Sequence, residues 1–543
     1  MRTFLGLALV IALTVGLFAW RQSAHEPGLP LAVPAGDREI AWIQPATSVG
    51  AWERFVTGVL RVHHDWAAVS VDDSRAFPEQ TTAVPEVVIS LQNATGNLRI
   101  RWYKISKDAS VSNLVTRLAH RDPAPLCVLG GGSSDRAFDL ARAMNDQLTW
   151  AGERPTLFFT TATASTIGDP SEPQPLNLMD VYPGRSFRMC FTNAQIASAV
   201  VDFVWSQPDL RPTGDPSPVL GLIGATSVET ALTNLALQGD ESSPIVSALE
   251  WDDDPYSVDL SRQFHAVLHE PQWGRVLVRE TRGIPFSVGG QYDPNPWEAE
   301  AAEHLLSSLK YAPFERQLLV LPTVVAPARR VLRSITSALP LVGRNLVAVT
   351  GDSISLNNIY RDADIGWDTR ALAVPLVSFA HQNPVAWDEP SIDEELPQSP
   401  PRDDEHPPPD RNSPSFLSPP TNTDEALQHR DMMQLIIEAA YRVQSKTLPS
   451  TMANSDEFIR QLRTYRSGMF AANGDRIGGQ GEYILCLRPQ FATGGGSVTQ
   501  VLPTATLDVW TRQPNAIDPQ RKSRWVRVKR LILNHDRDRT AKN

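Results

Sequence analysis

The chain has 543 residues, 42% of them hydrophobic, which is enough to bury the cores of two or three domains. Its formal net charge is −11, and no Lys/Arg cluster is interleaved with aromatic residues, so we expect no nucleic-acid partner. No P-loop, H-E-x-x-H motif or Cys/His metal spacing occurs, so we expect no cofactor and no metal. We expect the three cysteines to be buried free thiols, with a single disulfide left open: Cys127, Cys190 and Cys486.

Residues 1–24 read as a targeting segment. The run Phe4–Trp20 is apolar apart from Thr14 and lies between Arg2 and Arg21. It is long enough for a membrane helix and rather long for the core of a secretory signal. No small-x-small cleavage site follows it at the usual distance, which favours an uncleaved signal anchor over a cleaved signal peptide. Both alternatives place the rest of the chain outside the cytoplasm.

Strand-like and helix-like segments then alternate along the chain. Residues 39–45 and 98–105 read as strands, and 110–120 has the apolar spacing of an amphipathic helix. The segment 67–97 lacks clean periodicity, and we interpret it as an insertion. The alternation indicates an α/β fold.

The most informative stretch runs from Pro125 to Thr166. Apolar runs at 126–129 and 156–159 each end in a loop of small residues, with a helix-like segment between them. This pattern predicts a parallel βαβ unit whose two loops lie at the carboxyl ends of their strands, where open α/β sheets bind ligands. Ser133 and Ser134 stand where the helix begins, so they either grip an anion or simply cap the helix.

A second block of the same kind follows. Strands are predicted at 219–223, 245–251, 317–321, 346–350 and 371–380, with a helix at 326–339. Pro375 argues for a sheet edge or a bend in the last of these strands. Residues 389–423 hold ten prolines and many acids, which predicts a disordered loop. A helix at 424–443 and a strand at 481–487 then look like completion of the preceding fold.

The order of several motifs along the chain resembles the type I periplasmic-binding-protein superfamily, in particular the branched-chain amino-acid (Leu/Ile/Val) binding proteins. The motifs are GGGSS at 130–134, TTATAST at 160–166, YPGRSFRMCFTNAQIASAVVDFV at 182–204, WDDDPYSVDLSRQF at 251–264 and RSGMFAANGDRIGGQGEYIL at 466–485. The resemblance covers about 38–390 and 424–530. It implies two lobes, each a mainly parallel sheet flanked by helices, that close on a small ligand by a hinge motion.

The resemblance also implies a division of the chain. Beyond the anchor, the expected segments are lobe 1 at 38–190, lobe 2 at 191–375, a hinge crossing at 376–388, the proline-rich loop at 389–423, a return to lobe 1 at 424–480, and closing strands with a tail at 481–543.

The ligand residues are likewise those that the resemblance implies. On lobe 1 the ligand's carboxylate would meet Ser133, Ser134, Thr161, Ala162 and Thr163. On lobe 2 its ammonium would meet an acid and an aromatic residue, for which the candidates are Asp352 and Tyr256.

Alternatives stay open for the two lobe-2 residues. Tyr256 could equally be an aromatic that packs on the lobe surface, and Asp352 a turn or helix-cap residue. Asp352 stands where the family usually has a longer Glu, and the family's aromatic-bearing loop is missing around Pro322 and Thr323. The shorter Asp alters which ligand fits, and the missing loop puts an amino acid as the ligand in doubt.

Two polar motifs invite other chemistry. Gly351–Ser353 (GDS) resembles the nucleophile block of SGNH-type esterases, but it stands late in the chain. The only D-x-x-H spacing that follows it, Asp403 with His406, lies in the proline-rich loop, where a catalytic base would not be held in place. The cluster His381–Asp388 either forms a site or turns the chain after a strand.

The sequence therefore predicts a non-catalytic, membrane-tethered, extracytoplasmic (periplasmic) solute-binding protein that presents a small polar ligand to an ABC-type permease. The alternative is a sensor or scaffold ectodomain that uses the same fold without transport.

Overall fold

The computed structural model describes residues 30–534 with gaps. The gaps are 81, 107–109, 169–173, 214–243, 287–294, 312–315, 340–341, 343–344, 355–371, 385–423, 443–451, 466–468, 478–480, 495–496 and 514–523. The expected signal segment at 1–24, the strand candidate at 219–223 and the proline-rich loop at 389–423 lie outside the described residues. Within the described part, no helix is both long and apolar enough to span a membrane.

The first part of the chain alternates strands and helices. Its elements are β1 (Arg38–Pro45), α1 (Val49–Asp65), β2 (Val69–Arg75), β3 (Glu86–Leu91), β4 (Leu98–Ile105), α2 (Val111–Ala119), β5 (Cys127–Gly130), α3 (Ser134–Asp146), β6 (Thr156–Phe159), β7 (Thr166–Ile167), β8 (Leu176–Asn177), a 3-10 turn (Leu178–Asp180) and β9 (Ser186–Arg188).

Seven of these strands form one sheet in the order β2-β3-β4-β1-β5-β6-β9. The five strands from β4 to β9 are parallel, and β2 and β3 add an antiparallel edge. The residues of β5 and β6 are all buried, as expected of parallel strands covered on both faces.

The second part of the chain builds another sheet. Its elements are α4 (Asn193–Ser206), β10 (Ile245–Leu249), α5 (Pro255–Leu268), a 3-10 turn (Pro271–Trp273), β11 (Leu277–Thr281), α6 (Pro296–Tyr311), β12 (Gln317–Leu321), α7 (Val325–Thr336), β13 (Leu346–Thr350), β14 (Leu376–Ala380), α8 (Asp424–Ala440), α9 (Ser455–Tyr465), β15 (Tyr483–Gly494), β16 (Ser497–Gln513) and β17 (Arg524–Asn534).

The second sheet has eight strands in the order β11-β10-β12-β13-β14-β15-β16-β17. The strands from β11 to β14 are parallel, and the last three continue the sheet in antiparallel fashion. The chain is thus α/β, with two mixed sheets and helices packed on them.

Helices cover both faces of each sheet. On the first sheet, α1, α8 and α9 pack on one face and α2 and α3 on the other. On the second sheet, α6 and α7 pack opposite α4 and α5. Local signals set the helix starts: Thr192 and Gln195 form a capping box before α4, and Asp254 caps α5 ahead of Pro255. The three cysteines are free and buried, which confirms that expectation.

Two segments differ from their sequence-based description. Residues 67–97, interpreted as an insertion, contribute β2 and β3 to the edge of the first sheet. Within the segment expected as a hinge crossing at 376–388, Leu376–Ala380 is a buried strand inside the second sheet, in line with the strand predicted at 371–380. Pro375 lies just before this strand, where the proline's missing N–H removes no ladder hydrogen bond.

Candidate functional site

The glycine-rich loop after β5 leads directly into α3. Gly131 has a φ of +73°, and a Cβ there would lie 2.7 Å from the Cβ of Ala137. Ser133 precedes the helix, and its hydroxyl makes no capping hydrogen bond. The Ser134 hydroxyl oxygen is buried and accepts a hydrogen bond from the backbone N–H of Ala164 at 3.3 Å. Neither serine side chain therefore caps the helix.

The threonine-rich loop after β6 lies beside this helix start. Thr161 is half-buried, whereas Ala162 and Thr163 are fully buried. Within the described residues, the Thr163 hydroxyl has no hydrogen-bond partner. A buried hydroxyl without a partner is costly, so Thr163 is a candidate to meet a polar group of a ligand.

A buried arginine holds the backbone of this loop. Arg188, on β9, donates from one Nη to the carbonyls of Thr163 and Ala164, each at 2.9 Å. Its Nε lies 3.0 Å from a carboxylate oxygen of Asp475. The guanidinium is wholly buried, so it holds the backbone of this loop from the protein interior.

The two candidates on the second sheet contact one another directly. The Tyr256 hydroxyl donates to Oδ1 of Asp352 at 2.8 Å, and Nε2 of His381 lies 2.8 Å from Oδ2. Tyr256 begins α5, while Asp352 and His381 follow β13 and β14 at the same edge of the sheet. Sequence reasoning had considered a site at His381–Asp388 but did not connect it with Asp352.

A second contact fixes the tautomer of His381. The backbone N–H of Phe191 donates to Nδ1 of His381 at 3.2 Å, so Nε2 carries the hydrogen that points to Asp352. The imidazole ring stacks on Phe191 at 5.8 Å between ring centroids and meets Phe379 edge-on at 5.3 Å. The ring is thus held on two sides and by both nitrogens.

Electrostatics keep Asp352 charged. Burial acts to raise its pKa, but the hydrogen bonds that His381 and the Tyr256 hydroxyl donate outweigh burial, and the pKa is lowered overall. Burial and the neighbouring Asp352 carboxylate raise the pKa of Tyr256 well above its ordinary range. Tyr256 therefore stays a protonated donor to a charged acceptor.

Asn193 joins the candidates of the two sheets into one network. Its backbone N–H donates to the Thr163 carbonyl at 2.8 Å, and its side-chain amide lies 3.5 Å from the Tyr256 carbonyl and 3.0 Å from Asp259 Oδ2. Sequence analysis missed Asn193 and Asp259. The first follows the capping threonine of α4, the second sits mid-helix, and neither position carries a local signal.

The esterase interpretation lacks its geometry. The Ser353 hydroxyl donates to the Thr323 carbonyl at 2.8 Å, and both nitrogens of His381 are engaged by Phe191 and Asp352. His381 therefore does not act as a base toward Ser353 in this arrangement. Asp403 and His406 lie outside the described residues.

One side-chain cluster has the composition of a metal site. Ligand atoms of Glu250, His265 and Glu280 lie within 4.8 Å of one another. However, Arg282 pairs with Glu250 at 2.8 Å and with Glu280 at 2.5 Å. A cation would have to displace this guanidinium, so we assign the cluster no metal role.

Comparison with known proteins gives structural likeness only. No protein-family model and no curated protein matches the chain. An ABC transporter substrate-binding protein from Desulfitobacterium hafniense is 14% identical, with a TM-score of 0.44, over 86% of this chain and 99% of its own. A leucine-binding protein from Thermotoga maritima is 14% identical, with a TM-score of 0.47, over 85% of this chain and 97% of its own.

A third likeness is to a solute-binding protein of an ABC transporter from R. palustris, solved in complex with benzoate. It is 11% identical, with a TM-score of 0.41, over 91% of this chain and 96% of its own. Identities this low and TM-scores below 0.5 carry no argument about function. The case for a function therefore rests on the site of this chain.

Proposed function

We propose that this chain is an extracytoplasmic solute-binding protein with a type I periplasmic-binding-protein fold, which takes a small polar ligand between its two sheets. One observation supports this above all. Ser134, Thr163, Tyr256 and Asp352 come from strand-end loops and helix starts of both sheets. Asn193 contacts the backbone carbonyls of Thr163 and Tyr256, and Tyr256 donates to Asp352. Ser134 joins them through Ala164, whose carbonyl shares the Arg188 guanidinium with that of Thr163. The carboxyl ends of parallel strands are where α/β sheets commonly bind ligands.

In this proposal the first sheet supplies hydroxyl groups. Thr163 offers a buried hydroxyl with no partner among the described residues, and Ser133 and Thr161 are half-buried beside it. Ala162 contributes packing, because its side chain is fully buried. Tyr256, in the first turn of α5, is the candidate from the second sheet.

We assign Asp352 a positioning role instead of direct contact with an ammonium group. Both of its carboxylate oxygens already accept hydrogen bonds, from Tyr256 and His381. Its charge already has two donors within the protein, so we favour a ligand recognised through hydroxyl or amide groups over an amino acid, whose ammonium would need an unpaired carboxylate of the protein.

The transport role rests on the resemblance in motif order and on the expected signal segment at 1–24. A tethered binding protein outside the cytoplasm would deliver its ligand to an ABC-type permease. We propose anchoring in the inner membrane as the arrangement that keeps the protein near that permease.

A second candidate is a sensor or scaffold ectodomain. It is favoured by the mutual satisfaction of Tyr256, Asp352 and His381, which leaves these side chains partnered within the protein itself. A protein of this kind would pass on a conformational state to a partner without delivering a solute.

A thermal-shift screen separates the two candidates. The panel comprises amino acids, short amides, urea-like compounds and sugars, each well above the dissociation constant expected of a solute-binding protein. A ligand that binds only the native state raises the melting temperature. At a hundredfold excess over Kd, the free energy of unfolding increases by about 2.7 kcal/mol.

Variants tie any shift to the site. Ser133→Ala, Thr163→Val and Tyr256→Phe should each reduce the ligand-induced shift, whereas Asp139→Asn, at an exposed position of α3, should leave it unchanged. A panel without any shift would reject the solute-binding proposal in favour of the sensor or scaffold. A shift that the three site variants leave intact would place the ligand elsewhere.

A further inference from the structure

Asp259, on the second sheet's side, accepts four hydrogen bonds, three of which come from the loop after β6 of the first sheet. Its Oδ2 accepts from the backbone N–H of Ser165 at 2.9 Å and from the side-chain amide of Asn193 at 3.0 Å. Its Oδ1 accepts from the backbone N–H and the hydroxyl of Thr166, at 3.2 and 2.8 Å. A carboxylate offers about four acceptor positions, so these donors use its full capacity.

The residues on either side of this contact belong to different sheets. Asp259 lies on α5, which follows β10 of the second sheet, while Ser165 and Thr166 end the loop that follows β6 of the first. One turn further along α5, Arg262 donates to the Thr166 hydroxyl at 2.8 Å. The same helix therefore contacts the same loop twice.

Burial makes the Asp259 contact strong. The side chain is only 1% exposed, and hydrogen bonds to a charged acceptor are roughly twice as strong as those between neutral groups. Moving the sheets apart would break the bonds from Ser165 and Thr166 together. The carboxylate would then have to find replacements in water.

We propose that Asp259 is a latch: its carboxylate holds the two sheets together in the absence of a ligand. It thereby takes the place of the link that a bound ligand would form between them. The site then opens only when this carboxylate leaves the Ser165–Thr166 loop. The proposal rests on the proposed function in so far as it treats the space between the sheets as the ligand site. The latch itself is a property of the protein without added solute.

Pulsed electron paramagnetic resonance on the full chain tests the latch. Spin labels on Leu148→Cys and Glu303→Cys report the separation of the two sheets, because both positions are exposed. The native cysteines are buried, so the label reacts at the introduced thiols. No solute is added.

Asp259→Asn keeps the shape of the side chain but turns an amide N–H₂ toward backbone N–H donors. We expect it to shift the open–closed equilibrium toward the open form by about tenfold or more, seen as a longer or broader distance distribution. Asp139→Asn removes the same charge from an exposed position and should reproduce the wild-type distribution.

Two outcomes overturn the latch: a wild-type distribution for Asp259→Asn, or the same widening for Asp139→Asn. If Asp259→Asn does not fold, Thr166→Val removes the hydroxyl shared by Asp259 and Arg262, and an unchanged distribution for that variant overturns the proposal equally. The distance measurement needs no solute, so it tests the latch even if no member of the panel binds. The latch and the solute-binding function can therefore be rejected independently of each other.

Discussion

The charged Asp352 carboxylate orients the two side chains that donate hydrogen bonds to it. Tyr256 and His381 each donate one hydrogen bond to a different oxygen of the carboxylate. Because the backbone N–H of Phe191 donates to Nδ1 of His381, the ring hydrogen lies on Nε2 and points to Asp352. The backbone N–H of Phe191, just before α4, thus determines the tautomer of His381, which follows β14. Through their shared contact with Asp352, His381 in turn influences the orientation of Tyr256.

A buried histidine outside the site is expected to set the acid sensitivity of the fold. His429, on α8, packs edge-on against Phe55 of α1 at 5.2 Å between ring centroids. Burial lowers its pKa from 6.5 to about 4, while Glu425 acts to raise it and Arg54 to lower it. The folded protein therefore holds His429 neutral where the unfolded chain would protonate it.

This residue's contribution to stability is fully present above pH 6.5 and is lost as the pH falls toward 4. The shift corresponds to about 3 kcal/mol of unfolding free energy across that range. His429→Leu should flatten the stability profile between these pH values, measured by urea denaturation at each pH. An equally steep decline in the variant would show that other groups carry the acid sensitivity.

Local pattern predicted some site residues and could not predict others. The loops containing Ser133 and Thr163 were found because small residues directly follow buried apolar strands, a signal contained in neighbouring positions. The partnership of His381 with Asp352 spans 29 residues and two strands. It depends on which strands become neighbours, and no spacing along the chain encodes that.

A tight turn links elements that are distant in sequence. The turn around Gly474 lies against β9, where the Gly474 carbonyl accepts from the backbone N–H of Arg188 at 3.0 Å. Gly474 has a φ of +96°, and a Cβ there would lie 2.0 Å from the Ser186 carbonyl oxygen. The neighbouring Asp475 pairs with Arg188, so this turn supports the arginine that holds the threonine-rich loop.

Gly474→Ala is expected to destabilise the protein by about 3 kcal/mol or more, from the left-handed backbone and the backbone clash together. Gly184→Ala is the matched control, because its φ is +75° but a Cβ there meets nothing within 4 Å. It should cost only about 1 kcal/mol. Equal losses for the two variants in chemical denaturation would show that the Ser186 contact is unimportant.

Element boundaries followed the sequence where a strand was mostly apolar and wholly buried, and they departed from it elsewhere. β6, β12 and β13 begin and end where the sequence predicts them. In contrast, β2 has the sequence VSVDDSR, whose charges conceal its place at a sheet edge. Edge strands are often charged, so a lack of clean alternation did not exclude a strand.

At the scale of the whole molecule, two sheets with separate cores are connected through polar contacts near their strand ends. Asn193, Asp259 and the Thr163–Thr166 loop provide hydrogen bonds across this connection. Breaking these hydrogen bonds would leave the separate apolar cores of the two sheets intact. The arrangement therefore suits a molecule in which two stable halves move relative to each other.

Amide hydrogen exchange with the panel compound that gives the largest thermal shift shows whether both sheets contribute to one ligand site. If they do, peptides covering 161–166, on the first sheet, and 255–260, on the second, gain protection together at the same ligand concentration. Asp139→Asn should show the same pattern as the wild type. Protection confined to one sheet, or found in neither segment, would contradict a ligand site shared between the two sheets.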